Sequence, residues 1–143
     1  MIVNNINSSA TATVPNGGVW IYVSTKIYSV ISSYNSYLKY VHCQNLYSVT
    51  SIGTYAFQNC SSLALTSLPS GITNIGSYAF YKCTSLASIK FLGIPNTISS
   101  TVFIECTNLI DIYVPWSEGA VANAPWGAIN ATIHYNWSDD NAS

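Results

Sequence analysis

Arginine is absent from this chain, and lysine occurs four times, at Lys26, Lys39, Lys82 and Lys90. Charged residues of both signs make up 6% of its 143 residues, against about 25% in an ordinary globular chain. The net charge is −1. A protein that grips a nucleic-acid backbone needs a basic stripe, and none can be drawn here. Attraction to an anionic membrane surface fails for the same reason. Long apolar runs are also lacking. Hydrophobic residues make up 49% of the chain, yet no uninterrupted stretch approaches the roughly 18 residues that span a bilayer. The opening "MIVNNINSSATATVP" has neither a basic leader region nor a continuous apolar segment, so no secretory signal peptide is recognised in it. Polarity comes from Ser, Thr, Asn and Tyr. Such a surface resists salt but lacks charge repulsion between molecules, which suits a protein that assembles or adheres.

Catalytic sets are equally scarce. His42 stands beside Cys43, but neighbours on an extended segment point to opposite faces. His134 is expected in an exposed tail near Asp139 and Asp140. Glu105, Glu118 and Asp111 show no acid/base spacing, and no glycine-rich phosphate loop occurs. The expectation is a protein that is no enzyme and takes no cofactor and no metal. The sequons at Asn7, Asn59, Asn130, Asn136 and Asn141 are what chance gives in so Asn- and Ser-rich a chain.

What the chain does have is a repeat. "SIGTYAFQNCSSL", residues 51–63, returns as "NIGSYAFYKCTSL", residues 74–86. A step of 23 links Cys60, Cys83 and Cys106, and the same step links Ile52, Ile75 and Ile98. It also links Phe57, Phe80 and Phe103, and then Leu63, Leu86 and Leu109. A further copy lies upstream, with Tyr40 at the position of the Phe; there the step is shorter, from Cys43 to Cys60. Fixed apolar positions at such a period are the signature of a solenoid, in which one coil buries its edge only against the next.

Within a coil, Ile112 and Val114 alternate with Asp111 and Tyr113, which is strand spacing. The same frame sets Ile89 and Phe91 against Ser88 and Lys90, and Thr66 and Leu68 against Leu65 and Ser67. Each coil is thus expected to give one short strand, stacked in parallel on the next, with "SYAFYKC" making a short helical turn or tight bend. Gly53 and Gly76 are expected where the chain crosses to the opposite face. Two outward columns follow: Ser48, Leu65, Ser88 and Asp111, then Thr50, Ser67, Lys90 and Tyr113. Lys82 and Glu105, each one residue before a Cys, should be neighbours.

The cysteines occupy one column along the solenoid axis. Buried free thiols fit that arrangement best; disulfides are the second reading. A metal site is the third, and ligands spread along an axis do not converge on a tetrahedron.

The fold class expected is a β-rich solenoid with parallel strands, short helical turns and terminal caps. Residues 38–115 form the array of about four coils. Residues 1–37 are an N-terminal arm, a cap or a degenerate coil, with 1–16 mobile. Residues 116–143 are a C-terminal cap and tail. There Ser117 is expected to cap a short helix through "EGAVANA", Trp116 and Trp126 to cover the last coil, and "ATIHY" to add a strand with Ile133 inward.

The recurring "SIGSYAF", Cys and Leu, with "LP" and "GIT–IG", resembles the BspA-type leucine-rich repeats of bacterial surface proteins over residues 40–115. Two coils depart from the pattern: the first has Lys39-Tyr40 for Ala-Phe, and the third has Val102-Phe103 and no Gly after Ile98. Residues 114–136 resemble the ends of such proteins in prophage and phage tail regions of gut bacteria. The resemblance implies a non-catalytic binding or adhesion module, virion-associated or on the bacterial surface, that recognises a protein or glycan on a cell surface. The other class is a structural subunit of a fibre or tail tip, assembled as a homo-oligomer through the N-terminal arm. If the strand face binds, its outward residues Ser88, Lys90, Asp111 and Tyr113 are the candidates, since they alone combine both charges with an aromatic ring on that face. No nucleic-acid partner and no membrane insertion are expected.

Overall fold

The computed structural model describes residues 50–63, 67–68 and 70–138, together with the backbone of four strands nearer the N-terminus. Those four are β1 (Ile2–Asn4), β2 (Val19–Val23), β3 (Lys26–Ile27) and β4 (Leu38–Cys43). They are followed by β5 (Ser51–Ile52), β6 (Ser67–Leu68), β7 (Asn74–Ile75), β8 (Ser88–Phe91), β9 (Thr97–Ile98), β10 (Asp111–Tyr113) and β11 (Thr132–His134). Pairing between them is parallel throughout. The chain is a parallel-strand β-solenoid of about three turns in its described part, and no residue there is helical.

Each coil gives two strands. One joins the sheet ordered β11-β10-β8-β6, and the other joins the sheet ordered β3-β5-β7-β9. The second strand was not expected from the alternation. It is a single pair of residues in each coil, too short to show a period. Ile52, Ile75 and Ile98 lie in it, and all three are buried. The repeat of the sequence appears directly in the register, as Ser51↔Asn74↔Thr97 on one sheet and Ser88↔Asp111 on the other. The last coil is shorter: Asp111 pairs with Thr132, where a full repeat would have brought His134.

Between the sheets lies one core. Phe57, Phe80 and Phe103 are buried and stacked, with ring centroids 5.3 Å and 5.7 Å apart. That distance is set by the strand spacing of about 4.8 Å, so the repeat puts like on like. The segments expected as helical turns are non-helical turns. Asn59, Lys82 and Glu105 sit at φ of 59°, 58° and 60°, which no right-handed helix accommodates. The turns bond to the next coil instead, through Phe57 N–H to Ala79 O (2.7 Å) and Phe80 N–H to Val102 O (3.0 Å). Gly76 runs against the preceding coil, where a Cβ would meet the Thr54 nitrogen at 2.7 Å. Lys82 and Glu105 lie 3.7 Å apart, as the register requires.

The C-terminal segment closes the stack without the expected helix over 118–124. Gly119 at φ 87° and Asn123 at φ 75° break any helical path. Trp126 is fully buried and Trp116 nearly so, and both rings pack against Phe91. The Trp126 carbonyl accepts the Phe103 N–H at 2.9 Å, and the Asn123 amide donates to Ile98 O at 3.1 Å. Trp126 follows Phe103 by the same step that separates the Phe residues, so it is the fourth member of their column in larger form. Among the described residues the buried Trp116 Nε1 has no hydrogen-bond partner; an unsatisfied donor costs about 1–3 kcal/mol, which burial of the indole offsets. Ile133 packs, partly buried, against the core from β11.

At the other end, Leu38–Cys43 is a strand paired with Val19–Val23, so Tyr40 and Cys43 lie in extended chain. Cys60, Cys83 and Cys106 instead follow the left-handed residue of a turn. The alternating apolar and aromatic run around Tyr40 favours a strand there. The side chain of Cys43 lies outside the described residues; of residues 1–16, expected to be mobile, Ile2–Asn4 form β1 paired with β2 and the rest lie outside the described residues.

Phe80→Ala should destabilise the protein by about 3–5 kcal/mol, because it opens a cavity between two stacked rings. Lys82→Gln should cost under about 1 kcal/mol, since both partners of its ion pair are half exposed. Denaturant titration of both variants checks this. Deletion of residues 116–143 should remove the cooperative melt or cause aggregation, and a truncated monomer with an unchanged melting temperature would refute the capping role.

Candidate functional site

Period-two geometry turns every second residue of β6, β8, β10 and β11 away from the core. On the outward face, Ser67, Lys90, Tyr113 and His134 stand in one row across four strands. Ser88, Asp111 and Thr132 form the next row. Ile89, Phe91 and Ile112, between them in sequence, are buried. The four candidate residues Ser88, Lys90, Asp111 and Tyr113 are therefore neighbours on one surface, each only partly buried.

The rows meet at a cluster. His134 Nε2 lies 2.8 Å from Asp111 Oδ1. The His134 ring stacks on Tyr113 with centroids 4.5 Å apart and planes 14° from parallel. Trp137 leans on Tyr113 at 5.8 Å. The Lys90 ammonium sits 6.0 Å from the Tyr113 ring centre and 5.2 Å from that of Trp137. An ammonium over π faces gains on the order of 0.5–1 kcal/mol at an exposed site.

His134 is thus not part of an exposed tail beside Asp139 and Asp140, which lie outside the described residues. The tight last coil carries it onto the strand face, and hydrogen bonding to Asp111 fixes it there. Its place was hidden because the last step, Asp111 to Thr132, is shorter than the step before it, Ser88 to Asp111. Trp137 was missed for a related reason: it follows a turn in which Asn136 has φ 56°, so strand alternation does not place it. Thr50 leaves the expected column. Its carbonyl accepts the N–H of Thr73, its equivalent in the next coil, beside the second sheet. The shortened first coil misaligned it. Ser48 and Leu65 lie outside the described residues.

The three described thiols offer no second site. Cys60, Cys83 and Cys106 are buried and unpaired. Cys83 Sγ–H donates to Phe57 O at 3.1 Å, and Cys106 Sγ–H donates to Phe80 O at 2.9 Å, so each thiol bonds back to the preceding coil. Burial pushes the Cys60 thiol up to about 12. Contact with the Cys106 thiol, and burial, hold Cys83 well above the usual thiol range. A nucleophilic cysteine needs the opposite shift. The contact with Cys83 does lower Cys106, yet Cys106 is only 5% exposed, which closes it to a substrate. Among the described residues, no three His, Cys, Asp or Glu side chains converge as a metal site. No helix among them is long and apolar enough to cross a membrane.

The sequence profile of the BspA type leucine rich repeat region matches residues 25–123 in six copies. The chain belongs to this family. The match begins ahead of residue 38, and β3 at Lys26–Ile27 already pairs with β5 in the manner of a coil. Comparison with curated proteins and with solved structures gave no match. BspA-type repeats generally serve in binding and adhesion and are typically non-catalytic, and this chain is built of such repeats.

In native protein, thiol reagents should label Cys60, Cys83 and Cys106 slowly, and all three should react after denaturation. An acid whose pKa is raised on folding holds its proton more tightly in the native state. Above the ordinary value of 9.0 the unfolded chain therefore ionises first, and stability falls as pH rises toward about 12. Melting curves at stepwise alkaline pH should show a steeper fall for the parent protein than for Cys60→Ala.

Proposed function

We propose that the protein is a non-catalytic adhesion module whose strand face recognises a protein or glycan on a cell surface. The observation that carries this reading is the outward cluster of Lys90, Asp111, Tyr113, His134 and Trp137. It brings both charges and three aromatic rings together on one rigid sheet. Rigid aromatic side chains give contact area at low entropic cost, and the hydroxyls around them adapt their hydrogen bonds. The charge-poor surface supports a sticking role, and the likeness of residues 114–136 to prophage and phage tail repeat proteins supports display on a virion or a bacterial surface. A purely structural subunit of a fibre or tail tip is the second reading, favoured by the lack of charge repulsion between copies. For the N-terminal region, parallel pairing of β1 with β2 and of β2 with β4 supports a cap or further coil over a free assembly arm.

The test is an array of cell-surface proteins and glycans probed with the purified domain, followed by variants. Tyr113→Ala and Lys90→Ala should each weaken binding, by about 2 kcal/mol for a central aromatic anchor. Lys82→Ala, in the turns, should leave affinity unchanged. Intact affinity in folded strand-face variants would move the site elsewhere. A stable higher oligomer that binds nothing on the array would favour the structural subunit.

A further inference from the structure

The two full charges of opposite sign on the strand face are not equivalent. Asp111 is engaged by His134 at 2.8 Å. Among the described residues Lys90 has no carboxylate within ion-pair distance, and its neighbours Tyr113 and Trp137 are neutral rings. Ser67 lies beside Lys90 on the adjacent strand, and Ser88 lies two positions away on the same face of β8. Neither hydroxyl holds a hydrogen bond among the described residues. Lys90 therefore presents an ammonium held over two rings, with the hydroxyl residues Ser67 and Ser88 at the neighbouring positions of the face.

We propose that this site takes an anionic sugar, a pyranose that bears one carboxylate or sulfate. The inference rests on the reading that the strand face is the binding face. In this arrangement the acidic group accepts hydrogen bonds from the Lys90 ammonium and from the Ser67 and Ser88 hydroxyls. The ring lies against Trp137, whose apolar face suits the C–H side of a pyranose. Size argues for a single sugar unit: one strand spacing by two positions along a strand is roughly 5 by 7 Å. Charge argues against a polyacidic peptide or a highly sulfated polymer. Such ligands need an array of cations, and Lys90 is alone on the face among the described residues. Asp111, engaged by His134, borders the site directly across from Ser88 and turns a second acidic group away.

The experiment uses the full chain over polymer-linked sugars in surface plasmon resonance. The probes are N-acetylneuraminic acid, glucuronic acid and galactose 6-sulfate, with galactose and glucose as the neutral set. Acidic sugars should bind at least about tenfold more tightly than neutral ones, a difference of about 1.4 kcal/mol. The three acidic probes separate carboxylate from sulfate recognition. Lys90→Gln should abolish the acidic preference, and Trp137→Ala should weaken acidic and neutral sugars alike. Lys82→Gln should change neither, and its circular dichroism and that of the other variants should match the parent. No acidic preference in the parent overturns the ligand class, and one that survives Lys90→Gln overturns Lys90 as the group that reads it. In either case a loss of whatever does bind on Tyr113→Ala would leave the strand-face reading standing. Acidic preference that survives Lys90→Gln, Trp137→Ala and Tyr113→Ala together overturns both. Binding of an acidic peptide but of no sugar, lost with Lys90→Gln, would refute the sugar class and keep the face.

Discussion

Everything in this fold hangs on the equality of two lengths. A coil must return the chain to its start displaced by one strand spacing, about 4.8 Å. When it does, each side chain meets its own equivalent in the next repeat, and the best partner for a flat ring at that distance is another flat ring. Phe57, Phe80 and Phe103 satisfy this in the core, and Tyr55 and Tyr78 repeat it on the surface, 5.0 Å apart with planes 4° from parallel. The backbone obeys the same constraint. Turn N–H groups from Phe57 and Asn59 donate to carbonyls of the next coil, so the turns are joined between coils and not within a helix. A helix would consume those donors internally, and the coils would then be held by side chains alone.

That demand explains the left-handed residue before Cys60, Cys83 and Cys106. Asn59, Lys82 and Glu105 share φ near +60°, although only the Asn is well suited to that region. The backbone there is fixed by its neighbours: Asn59 N–H reaches Tyr81 O, and Lys82 N–H reaches Ile104 O. With the backbone set from outside, the side chain is free to vary, and Lys82 and Glu105 supply an ion pair. The cysteine that follows must be small, buried and able to donate to a nearby carbonyl, which lies in the preceding coil for Cys83 and Cys106 and in its own turn for Cys60. A thiol meets all three requirements, with a weak donor whose loss would strand little polarity. The resulting thiols are inert by location.

The columns of side chains that repeat were legible, while the backbone of the short second strands and much of the closing segment was not. Four columns at a common step fixed the coil, the buried Phe and Cys positions and the Lys82–Glu105 contact. Alternation placed Ser88, Lys90, Asp111 and Tyr113 on one face, and the register joins them. The second strand of each coil left no mark, because a single pair of residues carries no period. Thr50 was misplaced by assuming that the short spacing between Cys43 and Cys60 also governs the residues after them. The helix expected from "EGAVANA" followed from composition, and was overridden by backbone that must turn twice to bring Trp126 under the last coil. Trp126 itself carried a signal, since it continues the step from Phe103.

The end of the array is where its chemistry collects, and this has a physical reason. Interior strands such as β8 and β10 have a neighbour on both sides; on β6 and β8, Ser67 and Ser88 are small hydroxyls, while Lys90 and Tyr113 reach toward the last coil. The last coil has one neighbour and a shorter step. It can therefore carry residues that would not tile, namely His134 beside Tyr113 and Trp137 over both Tyr113 and Lys90. The same segment that seals the core with Trp116 and Trp126 thus orders the charged aromatic cluster on the sheet. Val114 N–H to His134 O and Trp137 N–H to Val114 O, at 3.0 Å and 2.9 Å, bind the two roles together. A cap docked by backbone hydrogen bonds holds its outward side chains as firmly as the core beneath it, so the cluster is pre-organised by the act of closing the solenoid.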